Sequence, residues 1–110
     1  MKSLIPLLLS LFLMAAQRPE PSPAYQEFTG DYVALGQAEI TKASIYLSHG
    51  KLNASAAGMT VELNPTNTTD LFEVRRYEAQ LRFVRNPQGK VVRVHVVCTD
   101  MDLNFQMRKI

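Results

Sequence analysis

The side chains best placed to do chemistry are few: two histidines, one cysteine and an Asp-x-Asp pair. His49 stands directly before Gly50 in a turn. An imidazole there could ligate a metal or act as a general base, but a solvent-facing turn residue is the simpler reading. His95 alternates with Arg93 inside an apolar run, so the two share a strand face. A base at His95 would need an orienting carboxylate and a nucleophile nearby, and sequence alone shows neither, so a structural strand residue is the simpler reading. Cys98 follows Val92, Val94 and Val96 in strict alternation and reads as a buried thiol acting as a small hydrophobe. Asp100 and Asp102 flank Met101. Calcium takes about six to eight oxygen ligands. The pair lacks the later acidic and glycine positions of a calcium loop, so it reads as a turn. A single cysteine supports neither an internal disulfide nor a structural zinc site. The expectation is therefore no catalytic residue, no metal and no cofactor.

Two larger constellations remain. Arg75-Arg76 with Arg82 and Arg85 is the densest basic cluster. If the strands carrying them pair, the four could form one positive stripe for an anionic ligand or an acidic partner. Alternation sets Arg75 and Arg76 on opposite faces, and Glu73 and Glu78 lie close enough to balance a solvated surface. The aromatic set beyond residue 16 is Tyr25, Phe28, Tyr32, Tyr46, Phe72, Tyr77, Phe83 and Phe105. Of these, Tyr32, Tyr46, Phe72, Phe83 and Phe105 are the candidate ligand-binding residues. With Met59 and Met107 around a hollow interior, such rings would hold a small apolar ligand. The same rings could fill a closed core, and a domain this small has little apolar surface to spare, which favours the filled alternative.

What must position these residues is legible from punctuation and period. Residues 1–16 pair a short positive start, Lys2, with an apolar run from Leu4 to Met14 and small residues at Ala15 and Ala16. That is the pattern of a secretory signal peptide. The run is shorter than the ~20 residues a membrane-spanning helix needs, so no stable membrane span is expected after cleavage. Removing it leaves 94 residues with 11 basic and 10 acidic side chains. That is one domain, without the basic excess of a nucleic-acid binder. Residues 17–24 hold three prolines and read as a tether. Tyr25 to Thr29 could form one helical turn with Tyr25 and Phe28 on one side.

From Gly30 onward the period is that of strands. The expected strands are Asp31–Leu35, Glu39–Ser48, Lys51–Ser55, Met59–Leu63, Leu71–Arg76, Ala79–Arg85, Lys90–Thr99 and Leu103–Lys109. Turn signals separate them, notably His49-Gly50, Ala57-Gly58 and Asn86-Pro87-Gln88-Gly89. Short strands at near-regular spacing with short links predict an all-β fold. The expected form is a small antiparallel up-and-down barrel of about eight strands over residues 25–110.

Residues 25–110 also resemble a known module, on Tyr25, Phe28-x-Gly30-x-Tyr32, Gly50-Lys51-Leu52, and Leu63-x-Pro65 followed by Phe72. The best match is Leu81-x-Phe83-x-Arg85-Asn86-x-x-Gly89-Lys90-Val91. The module is the small C-terminal domain, of unassigned function, that follows the catalytic domain in many serine beta-lactamase-like hydrolases and peptidases of bacteria and archaea. The resemblance implies a lipocalin-like, eight-stranded barrel. A signal peptide and a proline tether are expected here where the relatives carry a hydrolase domain, and no Gly-x-Ser-x-Gly occurs, so hydrolase activity is not expected to carry over. The expectation is a periplasmic or secreted, non-enzymatic binding module. It would be accessory to an envelope protein such as a serine hydrolase, or alternatively a carrier of a small apolar ligand.

Overall fold

In a computed structural model of the chain, residues 23–36 and 38–110 are described. The expected signal peptide, residues 1–16, and residues 17–22 of the expected tether lie outside the described residues. A single helical turn α1 (Pro23–Gln26) leads into eight strands. These are β1 (Gly30–Ala34), β2 (Lys42–Ser48), β3 (Lys51–Ala56), β4 (Met59–Pro65), β5 (Leu71–Val74), β6 (Ala79–Arg85), β7 (Val91–Cys98) and β8 (Leu103–Lys109). Each pairs antiparallel with the next, and β8 pairs back to β1. The chain is a closed up-and-down barrel. Closure leaves no terminal strand with an unpaired edge.

Alternation decides what enters the barrel. Tyr32, Ile45, Leu52, Leu63, Phe72, Leu81, Phe83, Val94 and Met107 point inward and are buried, while their strand neighbours face out. Two hairpins are set by two-residue turns, His49-Gly50 and Ala57-Gly58, in which both central residues have positive φ. This is the turn whose twist matches that of the flanking strands. Gly58 suits it without strain, whereas Ala57, at φ 52, bears a Cβ in the left-handed region.

Apart from shifts of one or two residues at the ends of the first, third and fourth strands, three expected strands differ from those observed. The second begins at Lys42 instead of Glu39. The fifth ends at Val74, and Arg75–Tyr77 forms a 3-10 turn. That turn resolves the conflict posed by two adjacent arginines on a strand: both leave the alternation and stay exposed. In the seventh, a register irregularity at Val84/Arg85 sets Val91 opposite Arg85 and Arg93 opposite Val84. Val91 is buried and Val92 only half-buried, so the inward series runs Val91, Val94, Val96, Cys98, not from Val92. A bulge of this kind shifts the facing by one residue.

Up-and-down order gathers alternate connections at opposite ends. The β1–β2, β3–β4, β5–β6 and β7–β8 connections share one end. The N-terminal turn, the C-terminus and the other three connections share the second.

Candidate functional site

The two ends are built differently. At the second end Phe28 inserts among Phe72 and Phe83, with ring centroids 5.2 and 4.6 Å away, and Phe72 and Phe83 are 5.6 Å apart. Tyr25 adds an edge contact to Phe72 at 5.9 Å. Such tilted and edge-on pairs are favoured by the ring quadrupoles. The N-terminal segment is fastened over this plug by charge. Arg85 donates to both carboxylate oxygens of Asp70, at 2.9 and 3.0 Å, to Glu27 at 3.0 and 3.3 Å, and to the Gly89 carbonyl at 2.7 Å. Its guanidinium also lies 5.6 Å from the Phe28 ring centroid. Lys109 Nζ donates to the Glu27 carbonyl at 2.9 Å. Hydrogen bonds donated to Asp70 and Glu27 hold the Arg85 guanidinium well above its ordinary pKa, and the same bond from Arg85 holds Glu27 below the usual carboxylate value. This end is sealed.

The first end is hollow. An apolar cavity of roughly 100 Å³ opens there. Its wall is built from small inward residues, Ala43, Ala54, Ala56 and Ala79, and from Ile45, Val61, Val94, Val96, Leu103 and Phe105. Met59, Met101, Ile40 and Tyr77 stand around the opening, and Met59 and Met101 are exposed. Tyr32 forms the floor. It is fully buried, borders the cavity and touches Phe83 edge-on at 6.2 Å, so it divides hollow from plug. Its hydroxyl donates to the Phe28 carbonyl at 2.8 Å, toward the sealed end. Burial pushes its phenol well above the ordinary value, so it stays neutral. Cys98 is buried in the cavity wall and its thiol donates to the Tyr77 carbonyl at 3.2 Å.

The five candidate ligand residues therefore separate into three groups. Tyr32 and Phe105 border the cavity. Phe72 and Phe83 belong to the plug. Tyr46 stands on the outer wall, 38% exposed, because Ile45 takes the inward position beside it. The alternatives of filled core and hollow barrel are both realised, one at each end. The four inward alanines are what sequence reasoning passed over. Small residues at inward positions near the same end of neighbouring strands were the available signal.

The polar candidates are dispersed. His49 is exposed in its turn, with Nδ1 3.1 Å from Ser48 Oγ. Ser48 and Lys51 stand at Ser-x-x-Lys spacing, but across a β-hairpin, and Lys51 meets Glu62 at 3.5 Å. His95 faces outward and its Nε2 is 2.6 Å from Asn104 Oδ1. Asp100 and Asp102 are exposed in the β7–β8 turn, closed by an Asp102 N–H bond to the Thr99 carbonyl. The expected arginine stripe is not assembled. Arg75 and Arg76 sit by the hollow end, with Arg75 3.5 Å from Glu73, while Arg85 seals the other end and Arg82 lies on the outer wall. Among the described residues no group of three or more His, Cys, Asp or Glu side chains is placed to hold a metal ion.

No protein-family model, curated protein or solved structure matches the chain.

Proposed function

We propose that this protein is an exported binding module whose hollow end takes up a small apolar group. The observation that carries the reading is the asymmetry of the barrel. Aromatic rings and an ion-paired clasp fill one end, while inward alanines leave an apolar cavity at the other beneath a methionine rim. A hollow mouth favours a small ligand over the accessory role toward an envelope protein, which would need no cavity. Its roughly 100 Å³ is below the ~300–1,000 Å³ of drug-sized sites and close to the ~150 Å³ cavity that accepts benzene. The buried part of the ligand is therefore one ring or the tip of a short alkyl chain, with the remainder at the rim. Methionine suits such a rim because it repacks around varied apolar shapes.

Native mass spectrometry of freshly purified protein, followed by calorimetric titration with toluene and with hexanol, tests the reading. A single co-purified adduct, or uptake of one equivalent of either probe, supports it. Empty protein in several preparations that also ignores both probes would overturn it.

A further inference from the structure

We propose that the outer wall around Arg82, Arg93, Arg108 and Lys42 docks the barrel on an anionic lipid bilayer. The cluster appears only when the strands are put in register. Arg93 of β7 lies directly opposite Arg108 of β8, which lies opposite Val33 of β1, which lies opposite Lys42 of β2. One row across four strands thus carries three cations within ~14 Å, at ~4.8 Å per strand. Arg82 joins from the adjacent row, opposite His95. All four cations are exposed, and none has an ion-pair partner among the described residues. The strands β6, β7 and β8 contain no acidic residue. The carboxylate bordering the row, Asp31, accepts a hydrogen bond from Ser44 Oγ at 2.7 Å.

Like charges placed directly opposite weaken a sheet. The fold does not ask for Arg93 against Arg108, and a bound anion would relieve the repulsion. The shape of the wall selects the kind of partner. Its strands are paired on both sides, so no free edge is offered to an extended peptide. Its half-buried Val33 and Val84 and its exposed Leu35 interleave with the cations. A convex barrel wall of mixed basic and apolar residues suits many mobile headgroups, which need no shape complementarity, and each nearby cation adds attraction to such a surface.

The test is flotation of the full chain with vesicles of phosphatidylcholine alone or with about 30% phosphatidylglycerol. The apolar leader is common to every variant, so differences between variants report the wall. Binding should be stronger on the anionic vesicles. The double variant Arg93→Gln/Arg108→Gln should lose it by about 25-fold, since one cation is worth about fivefold. That variant should melt no lower than the parent, because a repulsive pair has been removed. Arg93→Lys/Arg108→Lys should keep most of the binding. The control Lys51→Gln/Lys90→Gln, with the same change in net charge at the sealed end, should keep it too. Equal binding to both vesicles, or equal loss in the control, would overturn the proposal. So would capture of a poly-glutamate peptide with the same arginine dependence and no vesicle preference, which would assign the wall to an acidic protein.

Discussion

Replacing Ala54 by leucine should stabilise the barrel and close its cavity at once. Ala54 lies in the middle of β3, opposite Ile45 and Val61, and its methyl borders the hollow. Leucine adds three carbons to a cavity of roughly 100 Å³. At about 0.8 kcal/mol for each buried methylene the gain is about 2.4 kcal/mol, offset by about 0.5–1 kcal/mol of lost rotamer freedom. The net of about 1.5–2 kcal/mol corresponds to a rise of roughly 10 °C in the melting temperature of a domain this size. The chain has no tryptophan, so urea unfolding followed by far-UV circular dichroism is the suitable assay, with toluene titration in parallel. Uptake should fall below detection as the midpoint rises. A loss of stability would mean that the space is already filled in solution. A stability gain with undiminished uptake would place the ligand elsewhere. Either result refutes the reasoning.

Three further outcomes are expected. Tyr32→Phe removes the bond to the Phe28 carbonyl and should cost about 1–2 kcal/mol at neutral pH. Because the native phenol is held above its ordinary value of 10.0, unfolded chains release that proton first as pH rises past 10. The parent should lose about 1.4 kcal/mol per pH unit there and the variant should not, so urea midpoints at pH 9 and 11 should converge. Arg85→Met breaks a two-bonded pair with Asp70 and should cost about 2 kcal/mol by the same assay. Glu27 is held below its ordinary 4.5 by Arg85; its contribution is present above that value and lost as pH falls through the native one. The acid limb of the stability curve should therefore flatten in Arg85→Met. Ala57→Asn places at φ 52 a residue whose short amide can hydrogen-bond locally in the left-handed region, in a turn that favours Asn-Gly, and should add about 1 kcal/mol, read as a higher melting temperature.

The strands were legible because inward and outward residues alternate and the turns are marked by Gly, Asn and Pro. Leu103 to Lys109, with Leu103, Phe105 and Met107 on one face, matches β8 residue for residue. The misses share one cause: local rules ignore what a neighbouring strand demands. Arg75 and Arg76 read as strand until the chain has to turn at Val74 to reach Ala79. The bulge by Val91 depends on pairing with Arg85 and leaves no mark in an unbroken valine run. The aromatic residues were visible as a set, but their sorting into plug, cavity and outer wall follows from height along the barrel. Height depends on register, and register is a property of pairs of strands. The arginine wall shows the same limit. Arg93 and Arg108 are fifteen positions apart in sequence and face each other only through the β7–β8 hairpin.

The account rests on a cavity confined to one end. NMR of protein labelled at alanine and methionine methyls and at phenylalanine rings, titrated with toluene, tests that most directly. The predicted result is saturable shifts at Ala43, Ala54, Ala56, Ala79, Met59 and Met101, all of which border the hollow, with the Phe72 and Phe83 rings unmoved. Absence of saturable shifts, or shifts centred on the Phe28, Phe72 and Phe83 plug, would contradict it.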